Sequence, residues 1–199
     1  MKNTNLKKYI AEGFLIVFSV LFALFINKLF DDYKTKQKKE VAIESIKNEL
    51  NRNALIVKDW KARHIAIRDR IISINNGNND SIKSELRKNK FFVMGLLTDQ
   101  ESLIDNTLTK TAWESAKSTG IVAEFDFKTI EILTQVYSLQ ELITEKTLGE
   151  LSNFYFDTDT HNLENLDQTL LQFQLRFWEL TGQEELMISL YDDSIKKIE

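Results

Sequence analysis

The sequence predicts an all-α protein, in which a single N-terminal transmembrane helix continues into a long stalk helix and packs with later helices as an antiparallel helical bundle. Three observations carry that expectation. The 199 residues contain no proline, so nothing in the backbone itself interrupts a helix. Residues 13–26, GFLIVFSVLFALFI, carry no charge. From Asp31 to Asn75 neither glycine nor proline occurs, and apolar residues return every three or four positions, the spacing of one helix face.

The apolar run comes first in the chain. Fourteen residues at 1.5 Å each cover only about 21 Å, short of a hydrocarbon core of about 30 Å. A helix extended from Tyr9 to Phe30 covers about 33 Å and brings Glu12, Asn27 and Lys28 near the two interfaces, where polarity costs little and long side chains snorkel. Tyr9 and Phe30 then lie at headgroup level. Seven of the fourteen residues are Phe or Leu, and the run is apolar on every face, unlike a bundle helix with a solvent side. No clear small-x-small site follows it, so an uncleaved anchor is expected rather than a signal peptide. The chain divides into a short N-terminal tail (1–8), a transmembrane helix (9–30) and a helical bundle domain (31–199) whose first helix ends near residue 75. Lys2, Lys7 and Lys8 precede the anchor, while Lys28, Lys34, Lys36, Lys38 and Lys39 follow it, partly offset by Asp31 and Asp32. A strict Lys/Arg count favours the downstream side as cytoplasmic, yet a first helix can be exported after a short basic start, so charge alone leaves the orientation open.

Beyond the anchor, Ile43, Ile46, Leu50, Val57, Trp60, Ile67, Ile71 and Ile74 follow a 3-4 repeat of the coiled-coil kind, with Asn53 and His64 in its two gaps. The turn-forming stretch from Asn75 to Asp80 ends it. A short helix over residues 81–89 and the apolar stretch from Phe91 to Leu97 follow. Thr98 with Glu101 and Thr111 with Glu114 read as capping boxes that begin helices. Gly120 reads as a left-handed C-cap. Asp126 caps a long helix through about Phe154, and Leu163, Leu166, Leu170, Phe173, Phe177 and Leu180 mark another, ended by Gly182. A last one carries Leu186, Leu190, Tyr191, Ile195 and Ile198. Residues 1–90 hold 19 Lys/Arg against 10 Asp/Glu, and residues 91–199 hold 7 against 20. With no basic run longer than Lys38-Lys39 and no interleaved aromatics, this asymmetry argues for two halves that pair with each other and against nucleic acid as a partner.

Two segments carry a resemblance. EGFLIVFSVLFALFIN resembles the membrane segment of an uncharacterised family of small single-pass inner-membrane proteins from Gram-negative bacteria, a domain of unknown function. In that family Glu is followed by a Val/Ile/Leu-rich stretch, a small residue and Ala-Leu-x-Ile-Asn, places taken here by Glu12, Ser19, Ala23-Leu24 and Ile26-Asn27. Thr111 to Gly120, TAWESAKSTG, is similar to the family's aromatic-Glu-x-x-Lys-Ser-x-Gly stretch, which a helix ending in an aromatic near Tyr137 follows. Leu29 stands where the family has a Trp, and Ile121 where a second Gly is common. The two segments cover about a fifth of the chain. The resemblance implies an inner-membrane anchor with the helical domain in the periplasm, and it brings no activity, cofactor or catalytic residue.

Candidate sites are few. The absence of cysteine removes disulfides, thiolate metal sites and a cysteine nucleophile. Two isolated histidines and no paired carboxylates in a recognisable motif offer little acid-base chemistry, so neither an enzyme nor a cofactor is expected. Asp157 to His161 alternates oxygen and imidazole groups but lacks the Gly and distant Glu of a calcium loop, and it reads as an N-cap instead of a metal site. Glu12 is either an intramembrane relay or the i, i+4 partner of Lys8. Asn27 and Asn53 either set the register of an oligomer or bond within the bundle. His64 reads as a packed core residue. Trp113, Lys117, Ser118 and Gly120 form the candidate interaction site, with Trp113 and Gly120 also explicable as core and cap. The function expected is that of a membrane-anchored interaction or scaffold component of the cell envelope, touching membrane lipid and either an envelope protein or a second copy of itself. The alternative is a sensor-like extracytoplasmic ligand-binding bundle that signals through a partner.

Overall fold

A computed structural model describes residues 3–198, with side chains from Lys8 onward. Every regular element in it is helical: α1 (Asn3–Asn75), α2 (Asp80–Lys88), α3 (Gly95–Thr98), α4 (Thr111–Ser118), α5 (Phe127–Glu141), α6 (Leu148–Phe156) and α7 (Leu166–Lys197). There is no strand among the described residues, so the all-α expectation holds. Residues 1 and 2 of the expected tail lie outside the described residues, and residues 3–8 form the first turns of α1.

The 73 residues of α1 make a rod of roughly 110 Å, and the rod has two regimes. From Tyr9 to Phe30 every large apolar side chain is 46–73 % exposed, because no other part of the chain reaches it. This stretch is long and apolar enough to cross a membrane. The first fully buried residue is Ile43, and from there all ten positions of the 3-4 repeat are buried, Asn53 and His64 included. They pack chiefly on α7, whose Leu170, Phe173, Phe177, Leu180, Met187 and Tyr191 are inaccessible to solvent. Phe92 stacks on Phe173 at 5.1 Å, and Phe154 meets the same ring edge-on at 4.8 Å.

The end of α1 is set by Gly77, whose φ of 73° lies in the left-handed region. That conformation lets Asn78 N–H donate to the Ser73 carbonyl at 2.9 Å and Gly77 N–H to the Ile74 carbonyl at 3.1 Å, satisfying carbonyls the helix itself leaves open. Gly120, at φ 76°, turns the chain in the same way after α4, as expected. Asp126 caps α5 as expected, its carboxylate accepting from the Thr129 backbone N–H at 2.9 Å and the Thr129 hydroxyl at 2.7 Å. Those two bonds hold the Asp126 carboxyl below its ordinary range, the hydroxyl being the larger influence. The expected long helix from Asp126 is present but contains a π-helical stretch, Leu142–Thr147, between α5 and α6.

Three local expectations are corrected. Thr98 and Glu101 do not begin a helix: Thr98 ends α3, and Asp99 and Gln100 follow with φ of 54° and 65°. The reason is α1. Arg70 holds the Leu97 carbonyl and the Asp99 carboxylate, Arg63 holds the Ser102 carbonyl and Asp105, and His64 and Asn53 hold the backbone of Leu103 and Thr109. The segment from 99 to 110 therefore finds its partners on side chains of α1 instead of closing a helix on itself. Thr111 is not a capping residue either, since it is the first residue of α4 and Lys110 holds the N-cap position without a side-chain cap. Finally, Gly182 does not end a helix, because α7 runs through it to Lys197. A mid-helix glycine costs only about 1 kcal/mol, less than the burial of Leu180, Met187 and Tyr191 on either side of it contributes.

The charge asymmetry resolves into pairs between the two halves: Lys58–Asp192, Lys61–Glu185, Arg63–Asp105, Arg70–Asp99 and Lys83–Asp167. Hydrogen bonding to Arg63 pulls the Asp105 carboxyl down, and Lys83 does the same to Asp167. Exposed pairs of this kind contribute little each, so they orient the halves more than they stabilise them.

Candidate functional site

The expected interaction residues Trp113, Lys117 and Ser118 lie on α4, which packs against α1. Helix α4 is eight residues long and lacks a cap of its own, so its open backbone donors need an acceptor from elsewhere. Glu49 on α1 supplies it. One carboxylate oxygen accepts from Ala112 N–H at 2.9 Å and the other from the Tyr137 hydroxyl at 2.6 Å, and the Glu49 side chain is buried. Trp113 stacks flat on Tyr137, with ring centroids 5.7 Å apart and planes 2° from parallel. Burial above all, and the Glu49 carboxylate second, push the Tyr137 phenol well above its ordinary range.

One turn along α1, Asn53 closes a second polar cluster. Its amide donates to the Thr109 carbonyl at 2.7 Å and to Gln140 Oε1 at 3.1 Å, while its oxygen accepts from Thr109 N–H at 3.1 Å. Gln140 Nε2 donates to the Thr109 carbonyl at 3.2 Å, and its oxygen also accepts from the Tyr191 hydroxyl at 2.8 Å. Burial again raises the Tyr191 phenol, opposed by the Asn53 amide beside it. Four parts of the chain are thereby locked in register: α1, the segment before α4, α5 and α7. Of the two roles open to Asn53, the structure contains the internal one.

A third cluster lies further along the seam. His64 and Glu184 are wholly buried, with Nδ1 2.7 Å from Oε1, and His64 Nε2 is 3.1 Å from the Leu103 carbonyl. His64 is thus a core residue, with a buried carboxylic group as its partner.

The expected interaction residues separate in space. Trp113 is only 6 % exposed and belongs to the core. Lys117 lies over the Trp113 ring at 5.4 Å and pairs with Glu114 at 2.7 Å, and Ser118 bonds its own helix through the Ser115 carbonyl, both on the outer surface. Of these four residues only Gly120 lines a groove of about 1510 Å³ between residues 34–52 of α1 and residues 111–124. Its lining combines small and apolar side chains, Val41, Ala42, Ala112, Ala116 and Ile121, with the charged Lys34, Lys38, Arg52 and Glu124. Glu12 stands 3.9 Å from Lys8, the i, i+4 pairing. Asn27 is exposed on the apolar stretch of α1, with no side-chain hydrogen bond among the described residues. Asp157 to His161 forms a 3-10 turn in which Asp157 accepts from Asp159 N–H at 2.8 Å. No cluster of His, Asp and Glu able to hold a metal is present among the described residues.

Glu49, Gln140 and Glu184 do not stand out in the sequence, and Tyr191 is legible there only as a residue on the face of the last helix. The only hint was the pair of polar gaps in the seam, since a buried amide or imidazole requires partners. Comparison with protein-family models, with curated proteins and with solved structures finds no match for this chain.

Proposed function

We propose that this protein is a single-pass, membrane-anchored helical bundle that serves as an interaction or scaffold component of the bacterial envelope. The observation that carries the reading is the division of α1. Its apolar stretch from Tyr9 to Phe30 is bare on every face, and water tolerates such a surface only when something apolar covers it. A bilayer does so with the polar residues Lys8, Glu12 and Lys28 at its edges. The body is an antiparallel bundle in this reading, supported by Lys58–Asp192, Lys61–Glu185 and Asn75–Gln174, whose numbers rise along α1 as they fall along α7. The resemblance of residues 12–27 and 111–120 to a family of single-pass inner-membrane proteins favours the inner membrane, with the bundle in the periplasm.

Apart from Glu184 Oε2, the three buried polar clusters find their partners within the chain, which favours the surface as the place where this protein meets other molecules. That favours a scaffold over a catalyst. The sensor-like alternative draws on the groove between α1 and α4, which is roomy enough for a sizeable ligand.

The scaffold reading is tested by purifying the full chain from bacterial membranes in mild detergent, with cross-linking before extraction and light scattering after it. A stoichiometric second protein or a defined self-oligomer is expected. Recovery of a monomer without cross-linked products overturns the reading.

A further inference from the structure

We propose that the mouth of the groove, where the body comes closest to the anchor, is a docking surface for anionic phospholipid headgroups of the same bilayer. The inference rests on the anchor reading above. With Phe30 at the membrane boundary, the continuous helix carries Lys34 and Lys38 about 6 and 12 Å beyond it, the first within the headgroup layer and the second within a Debye length of it. Both line the groove on one helix face, and neither has a carboxylate partner among the described residues. The Lys34 ammonium lies over the Phe30 ring at 4.5 Å, which ties it to the boundary.

The body supplies an independent feature at the same level. The 3-10 turn Ile121–Glu124 and the start of α5 reach furthest back along α1, so that Lys39 lies close enough to Asp126 to help hold its carboxyl down. Beside Asp126, the Phe127 side chain is 82 % exposed, the most exposed large apolar residue of the body. Lys128 follows it, also without a carboxylate partner among the described residues. An unpaired cation next to an exposed aromatic ring is the pattern of a surface that sits at a lipid interface. A second copy of the chain fits worse, because its own stalk would bring the same lysines to this groove. Asp31 precedes Lys34 by about one helical turn, and Glu124 lines the groove, so selectivity for anionic over zwitterionic lipid depends on Lys34 and Lys38 acting against these carboxylates.

The test uses the full chain, which has no cysteine of its own, with one fluorophore on Q37C, at the groove mouth. The protein is reconstituted into phosphatidylcholine vesicles containing headgroup-spin-labelled phosphatidylglycerol or phosphatidylcholine at equal mole fraction, and quenching is compared. Several-fold stronger quenching by the anionic probe is expected. K34Q/K38Q should bring the two probes to parity, whereas K36Q/K47Q, which removes the same charge from the opposite face of α1, should keep most of the preference. Equal quenching in the unsubstituted chain, or the same loss from both double variants, overturns the lipid site while the anchor stands. Release of the chain from the vesicles by alkaline carbonate overturns the anchor reading itself, and the proposal with it.

Discussion

Replacing Glu184 by alanine is expected to lower the stability of the full chain in mild detergent by about 1–3 kcal/mol, the cost of leaving a buried polar group without its partner. The Leu103 carbonyl at 3.1 Å from His64 Nε2 can only accept, so Nε2 carries a hydrogen. The 2.7 Å approach of Nδ1 to Glu184 Oε1 then requires one further proton between them, since two lone pairs would repel at that distance. The pair is therefore neutral as a unit and held by one short bond, with Glu184 Oε2 left without a partner. Removing the carboxylic group orphans Nδ1 in a core closed by Phe177, whose ring centroid is 5.8 Å from that of His64. The double variant H64L/E184L should recover most of the loss, because two apolar groups leave nothing unsatisfied. Thermal or denaturant unfolding of the four members of this cycle measures the coupling. An E184A loss below about 1 kcal/mol would sink the assignment of His64 and Glu184 as an interdependent pair.

Substitution of Glu49 by alanine should cost about 2–4 kcal/mol, because it leaves both the Ala112 N–H and the Tyr137 hydroxyl buried without an acceptor. Glu49→Gln, which keeps an acceptor, should lose less. The same cluster sets an alkaline limit. Tyr137 and Tyr191 are both raised, chiefly by burial, so the unfolded chain releases these protons near pH 10 while the folded chain retains them. Their contribution is fully present below about pH 10 and is lost as pH rises above it, with a slope of about 1.4 kcal/mol per pH unit for each phenol. Tyr137→Phe should reduce that slope by about one phenol's share, and an unchanged slope would show that Tyr137 titrates normally in the folded protein.

Much of the fold could be read from residue spacing. All ten positions of the α1 repeat are buried, because a helix face that must leave water shows itself in a 3-4 pattern whatever it packs against. Gly77, Gly120 and Asp126 were legible for a similar reason, since each acts on backbone within a few residues of itself. What could not be read were interactions across long separations. Thr98 and Glu101 satisfy a local capping pattern, but Arg70 and Arg63, roughly thirty to forty positions earlier, determine the path taken there. Likewise the partner of His64 lies 120 residues away and that of Glu49 lies 88. Nothing in a helical period encodes such pairings. Of the candidate interaction residues, Trp113 was legible as an aromatic on the inner face of α4, whereas Lys117 and Ser118 next to it point outward. The groove escaped notice because its lining is split between residues 34–52 and 111–124, neither distinctive alone.

The central claim is that α1 crosses a membrane once and leaves the bundle on the far side from the N-terminus. Single cysteines at Asn5 and Ser118, in a chain that has none, test it by labelling with a membrane-impermeant maleimide in cells whose outer membrane has been made permeable. The expected result is a full-length chain that stays with the membranes after an alkaline carbonate wash, labelled at position 118 and protected at position 5. Label at position 5 alone would place the bundle in the cytoplasm, and release of the chain by carbonate would contradict the anchor altogether.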